Sequence, residues 1–158
     1  MIKIDIHREK EFLRIHELAG KINGIFQHPA HVYKIMSDHF GDTFFIAKDK
    51  KGDNTSEIAG FMMGFISRKI ESTLFIWQIA VSPQAQGKKT GSKLLRHTID
   101  YAIKTADCNA VIATVETDNT ASQHLFEKFN FQILIQRSPS SITIETIMKN
   151  LSEARFTH

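Results

Sequence analysis

A short polar segment between an apolar run and an amphipathic run carries the residues best suited to chemistry. Its sequence, Gln86-Gly87-Lys88-Lys89-Thr90-Gly91, follows an apolar stretch that ends at Val81. Glycines let the backbone approach a ligand closely because they lack a Cβ atom, and the lysines add positive charge. Where such a segment opens a helix, the unpaired N–H groups of the helix N-terminus attract anions. The segment is therefore typical of a phosphate-binding loop.

Spacing separates the known phosphate-binding motifs. A P-loop that began at Gly87 would need glycine and serine or threonine where the chain has Ser92 and Leu94. The GxGxxG dinucleotide motif also fails, because Gly87 and Gly91 are four positions apart. The pattern (Gln/Arg)-x-x-Gly-x-(Gly/Ala) fits, with Lys89 in place of its first glycine. A negative φ at Lys89 would keep its N–H contribution, whereas a positive φ would cost strain and weaken the match to the motif. A connection that binds no ligand is the alternative.

The fitting pattern resembles the acetyl-CoA signature of the GNAT N-acetyltransferases, and the resemblance covers residues 43–148. In that family the strand before the loop splays from the next strand, and the pantetheine arm pairs with its backbone. Backbone N–H groups near Val81 would then polarise the acetyl carbonyl. An N-x-x-(A/S) element matches Asn119 and Ser122, and Phe126 stands at the place of the family's tyrosine. The implied cofactor contacts are Ile79, Ala80, Val81, Gln86, Gly87, Lys88, Lys89, Thr90, Gly91, Ser92, Asn119, Ser122 and Phe126.

Two stretches are similar to the diaminobutyrate acetyltransferases of ectoine synthesis. These are residues 73–81, and residues 39–43 taken together with residues 118–122. Those enzymes carry an acidic, asparagine-containing stretch before their second helix, where this chain has Ile25-Phe26-Gln27-His28-Pro29. A dibasic amine would need a carboxylate there. The resemblance thus implies acetyl transfer to a small primary amine (an amino acid, diamine or polyamine), while the departure argues against diaminobutyrate itself.

Direct attack of an amine on the thioester needs a deprotonated amine, a polarised carbonyl and a proton for the thiolate. Because Phe126 replaces the tyrosine that usually protonates the thiolate, water or the ammonium proton would take that role. Glu116 is the first candidate for a base or amine anchor, followed by Glu71 and Asp118. Each could equally be a solvated turn carboxylate. Trp77 is either a core residue or a wall of the acceptor pocket.

Four histidines could also act as bases or ligands, although isolated histidines on helices are more often surface or satisfied residues: His28, His31, His39 and His124. The pair His28 and His31 lacks a third ligand nearby in the sequence, so we expect no metal site.

Functions other than small-molecule acetylation also remain open. Lys89 and Phe126 motivate a non-catalytic acyl-CoA-binding module, and protein N-terminal or lysine acetylation is a variant of the enzyme. The net charge of +3 permits a nucleic-acid partner. However, no run of interleaved basic and aromatic residues supports one.

Length and periodicity predict the elements that position these residues. The chain of 158 residues, 42% hydrophobic, predicts one domain over residues 1–150 and a loosely held tail over residues 151–158. Hydrophobic periodicity predicts the order β-α-α-β-β-β-α-β-α-β-β. The resemblance implies a GNAT-like α/β fold with a mixed, mostly antiparallel sheet that is splayed at its middle strands and flanked by helices on both faces.

The remaining composition bears on location and partners. Cys108 is the single cysteine, which excludes an internal disulfide and suits a reducing compartment. The alternating N-terminus lacks the apolar core of a signal peptide, and no apolar run approaches the length of a membrane span. We expect a cytoplasmic protein without a membrane partner. GNAT domains are often dimers, so the resemblance is compatible with a homodimer.

Overall fold

The computed structural model describes residues 1–6, 9–50, 56–137 and 144–151. The described residues form seven strands and four α-helices, in the order that the periodicity predicted. The tail predicted for residues 151–158 falls outside the described residues from position 152 onward, whereas Leu151 is buried and its N–H donates to the Asn109 carbonyl. The strands are β1 (Ile2–Ile6), β2 (Phe44–Lys50), β3 (Ser56–Ile66), β4 (Thr73–Val81), β5 (Ala110–Glu116), β6 (Gln132–Arg137) and β7 (Ile144–Asn150), and the helices are α1 (Phe12–Gly20), α2 (Ala30–Phe40), α3 (Thr90–Lys104) and α4 (Thr120–Glu127).

The seven strands form one mixed sheet in the order β1-β2-β3-β4-β5-β7-β6. The β4–β5 pairing is parallel, whereas the β1–β2, β2–β3, β5–β7 and β6–β7 pairings are antiparallel. This arrangement confirms the predicted α/β class with a mostly antiparallel sheet. No helix in the described ranges is both long enough and apolar enough to cross a membrane.

The chain divides into two compact units. The first comprises Met1–Gly64 with Gln78–Thr98, and the second comprises Phe65–Trp77 with Ile99–His158. The two boundaries after Gly64 and before Gln78 fall inside β3 and β4, and a third falls inside α3.

The first unit has an aromatic core between its strands and its first two helices. The Tyr33 ring of α2 meets the Phe61 ring of β3 edge to face at 6.0 Å, and Phe61 in turn lies 6.3 Å from Phe44 of β2. Ile15 of α1 and Met36 of α2 are buried in the same unit. Apolar positions at helical spacing on α1 and α2 therefore supply one face of this core.

A bulge in β3 brings the backbone of this unit close to β4. The β2–β3 register shifts between Ala47 and Lys48, so that Ala47 pairs with Gly60 and Lys48 pairs with Ile58. A Cβ atom on Gly60 would lie only 2.5 Å from the Ala80 carbonyl oxygen. Glycine is thus required at position 60 by the close approach of two main chains.

The second unit is built on β5, which is the buried strand predicted for residues 110–115. It pairs in parallel with β4 from Thr73–Ala110 to Ile76–Ala113 and antiparallel with β7 along its whole length. Val111, Ile112 and Ala113 are all buried although successive residues point to opposite faces of the sheet, so both faces of β5 are covered and its run is nearly continuous in apolar residues. After β5, the Asn119 side-chain oxygen accepts a hydrogen bond from the Ser122 N–H at 3.1 Å, which caps α4 as predicted.

Candidate functional site

The connection from β4 to α3 is held by hydrogen bonds, two of which share one carbonyl acceptor. The Ser82 N–H donates to the Ala59 carbonyl at 2.8 Å, which holds the end of β4 against β3. The Ala85 carbonyl then accepts both the Thr90 hydroxyl at 3.1 Å and the Lys88 N–H at 3.4 Å. Thr90 is buried, so this bond is shielded from water. The loop conformation is therefore stabilised by hydrogen bonds within the protein and does not depend on a bound ligand.

Most main-chain donors of this loop are left open. In the described part of the chain, the structure shows no backbone acceptor for the N–H groups of Gly87, Lys89, Thr90, Gly91 and Ser92. The last three belong to the first turn of α3, where an α-helix has no partner for its N–H groups. Open amides joined to a helix N-terminus form a site for an anion, and the exposed Lys88 and Lys89 side chains add charge beside it.

Two residues of the loop have left-handed backbone conformations. Gly87 has φ of 75° and Lys89 has φ of 61°. Of the two conformations considered for Lys89, the strained one is the one adopted, because a side chain at positive φ crowds the backbone. The Lys89 carbonyl still accepts the Lys93 N–H at 3.0 Å, so the helix begins normally after it. The lysine thus keeps the glycine's conformation at the expense of local strain.

The strand before the loop continues beyond its parallel partner. The β4–β5 ladder ends at the Ile76–Ala113 pair, whereas β4 itself extends to Val81. Ala80 is buried, and Ile79 and Val81 are half-buried. These three predicted contacts are therefore the last three residues of β4, directly before the loop that leads to α3.

The predicted cofactor residues of α4 differ in their surroundings. Asn119 and Ser122 are bonded to each other through the helix cap and are half-buried. Phe126 is only 3% exposed, and its ring packs edge to face on Phe131 at 4.9 Å. Phe126 lies in the core of its unit, where its ring has no polar atom to donate a proton.

The carboxylates predicted for catalysis are exposed. Glu116 is the last residue of β5, and its carbonyl accepts the Asn119 N–H at 3.0 Å. Glu71 lies in the turn before β4, and Asp118 lies in the turn before α4. Trp77 of β4 is 41% exposed, so it is more open than a core residue. Within the described ranges, no three His, Cys, Asp or Glu side chains are grouped to hold a metal ion.

A polar cluster that the sequence did not reveal joins the α1–α2 loop to β4. Tyr33 is fully buried, and its hydroxyl accepts the His28 N–H at 3.3 Å and donates to the Gln78 side-chain oxygen at 3.2 Å. The Gln78 amide in turn donates to the Phe26 carbonyl at 2.8 Å. Burial raises the pKa of Tyr33, against a smaller opposite effect of the His28 N–H. The available signal was one polar residue, Gln78, in an otherwise apolar run.

The His28 imidazole belongs to this cluster and is half-buried. Its ring lies 5.0 Å from Phe26 and 6.1 Å from Tyr33, both edge to face. Burial lowers the pKa of His28 below its usual value. The sequence favoured a surface or satisfied histidine, and the structure places His28 half-buried among aromatic rings.

A sequence model of the acetyltransferase (GNAT) family matches residues 10–131. The chain belongs to this family. The match covers the β4–α3 loop, the end of β4 and all of α4, so the GNAT resemblance noted from the loop and the N-x-x-(A/S) element is confirmed.

Two related GNAT sequences are both named L-2,4-diaminobutyric acid acetyltransferase. The protein from Shouchella clausii (strain KSM-K16) is 39% identical over 110 residues, which are 69% of this chain and 58% of the relative. The protein from Vibrio cholerae serotype O1 is 30% identical over 138 residues, which are 87% of this chain and 76% of the relative. The chain thus spans little more than half the length of the first relative.

The diaminobutyrate acetyltransferase of Paenibacillus lautus, solved with L-2,4-diaminobutyric acid and coenzyme A, has a similar structure. The TM-score is 0.74 at 21% identity, over 93% of this chain and 94% of that chain. This likeness confirms the GNAT fold.

Proposed function

We propose that this GNAT chain transfers the acetyl group of acetyl-CoA to the primary amine of a small molecule. The observation that carries the proposal is the row of open amides at residues 87 and 89–92, at the junction of β4 and α3. A pyrophosphate has the charge and the acceptor oxygens that such a row of donors can bind. The diaminobutyrate acetyltransferases among its relatives support the same reaction class.

The residues of the first unit would hold acetyl-CoA in a defined direction. The loop amides and the lysine side chains at positions 88 and 89 would bind the pyrophosphate. The backbone of residues 79–81 would pair with the pantetheine arm, in the manner of an added strand. The Val81 N–H would then donate to the acetyl oxygen and stabilise the negative charge that develops on it.

The remaining predicted residues have supporting roles in this proposal. Glu116 would anchor the ammonium group of the acceptor, a role that suits an exposed carboxylate because it attracts the cation without taking its proton. Trp77 and Glu71 would contact the acceptor, and Asn119 and Ser122 would contact the cofactor. Since Phe126 supplies no acidic proton, the departing thiolate would be protonated by water or by the attacking amine.

The acceptor that we propose is an amino acid, a diamine or a polyamine. Two relatives are named for 2,4-diaminobutyrate, which supports a small amine. Residues 25–29 contain no carboxylate, and for that reason we do not single out diaminobutyrate. The rival functions are a non-catalytic acyl-CoA-binding module and a protein acetyltransferase.

Thiol release from acetyl-CoA tests the proposal. The panel would contain glycine, L-2,4-diaminobutyrate, putrescine, spermidine and benzylamine, with peptides bearing free N-termini or lysines as a separate arm. We expect turnover with at least one small amine. Micromolar CoA binding without turnover on any amine would favour the binding module, and turnover on peptides alone would favour the protein acetyltransferase.

We also propose a cytoplasmic location and a homodimer as the state of assembly. The single cysteine, Cys108, is buried and leaves no internal disulfide to form, which supports a reducing compartment. Fractionation of the native host and light scattering of the purified protein would test these two points.

A further inference from the structure

The loop between α1 and α2 is fixed on β4 by the polar cluster, and it carries a histidine that the proposed mechanism does not use. We propose that His28 accepts the proton that the acceptor amine must lose before it attacks the acetyl group. This inference rests on the acetyltransferase function proposed above.

The first reason is the way in which the loop is held. Two hydrogen bonds join residues 26 and 28 to one pair of side chains, because the His28 N–H donates to the buried Tyr33 and the Phe26 carbonyl accepts from the half-buried Gln78. The Tyr33 hydroxyl and the Gln78 oxygen are bonded in turn. A further bond, from the Gln27 amide to the His16 carbonyl at 2.9 Å, ties the same loop to α1. A loop held at three successive residues keeps its side chains in fixed positions, as a catalytic group requires.

The second reason is the position of the loop along β4. Gln78 and Val81 belong to the same unit and to the same strand, three residues apart. At the rise of a β-strand this separation is about 10 Å. The loop is therefore anchored about 10 Å from the Val81 N–H group that would polarise the acetyl carbonyl. One side chain together with one small acceptor molecule can span this distance. Phe26, 71% exposed, offers an open apolar surface beside His28 for the body of such an acceptor.

The third reason is the protonation state of the imidazole. Partial burial lowers its pKa, and the N-terminus of α2 begins two residues later with its partial positive charge. Both effects favour the neutral ring, which can accept a proton. Two titratable groups of the cluster are Tyr33 from α2, whose ring lies 6.1 Å from the His28 ring, and His16 from α1, whose ring lies 5.9 Å from the Tyr33 ring. The β4 contact of the cluster, Gln78, is uncharged.

The proton balance of the step is complete. The ammonium form of the acceptor transfers one proton to a ring nitrogen of His28, and the neutral amine attacks the acetyl carbon to form a C–N bond. The C–S bond then breaks, and the thiolate takes a proton from the nitrogen that has attacked. His28 returns its own proton to water. The products are the acetylamide, free CoA thiol and one proton in solution.

The test compares His28→Gln with His31→Gln, an exposed histidine on the first turn of α2. Glutamine retains the backbone N–H that bonds to Tyr33. Steady-state rates would be measured with acetyl-CoA and whichever amine of the panel the wild-type chain acetylates fastest. Because general base catalysis typically contributes about 100-fold or more, we expect His28→Gln to lower kcat by that factor. CoA binding should stay within about twofold of the wild-type Kd, and His31→Gln should match the wild type.

The pH profile shows whether His28 acts as a general base or only lines the acceptor pocket. We expect the wild-type profile of kcat/KM to show an acidic limb centred below the ordinary histidine value of about 6.5. The limb should be absent in His28→Gln, whose rate should instead rise up to about pH 9.5 as the free amine increases. A change in KM with the acidic limb intact, or equal rates in the two variants, would overturn the role of His28 and leave the proposed function standing. Failure of the wild type with every amine would remove both.

Discussion

Tyr33 and Gln78 lie 45 residues apart in the sequence, and the Tyr33 hydroxyl donates a 3.2 Å hydrogen bond to the Gln78 side-chain oxygen. The bond joins α2 to β4 inside the first unit. Through it, the loop that we propose to face the acceptor is fixed on the strand that we propose to bind the acetyl group.

The Tyr33→Phe substitution should destabilise the fold. It removes the hydroxyl that bonds to the His28 N–H and to the Gln78 oxygen in a part-buried place, where the loss of a hydrogen bond costs about 1 kcal/mol. Urea unfolding would measure the loss. A double-mutant cycle with Gln78→Ala should give a coupling free energy of about 0.5–1.5 kcal/mol. Strict additivity would show that the bond contributes nothing.

The Lys89→Gly substitution should stabilise the protein while preserving CoA binding. The left-handed φ of 61° costs about 1 kcal/mol for a residue with a Cβ atom, and glycine removes that cost. Because the loop contributes a main-chain N–H at this position, the Kd for CoA should change by less than about threefold, the effect of one mobile lysine charge. The matched control is Lys88→Gly, at an exposed neighbouring lysine that is outside the positive-φ residues. A smaller gain at position 89 than at position 88 would contradict the argument.

The Gly60→Ala substitution should be costly. Its Cβ atom would meet the Ala80 carbonyl oxygen at 2.5 Å, so β3 and β4 must separate at the end of β4. We expect a loss of about 1–3 kcal/mol in the free energy of unfolding, together with lower turnover. Gly41→Ala is the control, because position 41 has helical φ and ψ and no atom within 4 Å of the added Cβ. Equal effects of the two substitutions would refute the close approach.

The Gly91→Asp substitution should weaken acetyl-CoA binding by at least about tenfold, since it places negative charge in the first turn of α3 beside the proposed pyrophosphate site. Gly91→Ala adds a Cβ without charge and should weaken binding less. Calorimetric titration with CoA would measure both Kd values. An unchanged Kd in the aspartate variant would place the pyrophosphate elsewhere.

The protein should lose stability as the pH is lowered, because His28 becomes protonated more readily in the unfolded chain. Because its pKa is lower in the folded state, the unfolded chain binds more protons between the folded and unfolded pKa values. The free energy of unfolding should therefore decrease as the pH falls below about 6.5. His28→Gln should reduce the slope in this window, and His31→Gln should leave it unchanged. Parallel slopes in the two variants would show that His28 does not contribute.

The sequence was sufficient for features that depend on neighbours along the chain. The periodicity of α3 and the apolar runs of β4 and β5 depend on local burial patterns, and they predicted the order of all the elements. The capping role of Asn119 involves a partner only three residues away. The loop at residues 86–91 could be proposed as a phosphate-binding site because its residues are neighbours along the chain, and that role stays a prediction.

Tertiary structure decided the features that depend on distant partners. The bond between Tyr33 and Gln78, the burial of His28 and the position of the Phe126 ring against Phe131 all follow from how the elements pack. A periodic pattern reports which face of an element is buried, but it does not report which group on another element a buried polar atom will meet. The φ of Lys89 is a second case, because a lysine by itself does not favour a left-handed conformation. The residues on either side of Lys89, Lys88 and Thr90, both donate hydrogen bonds to the Ala85 carbonyl and so shape this loop.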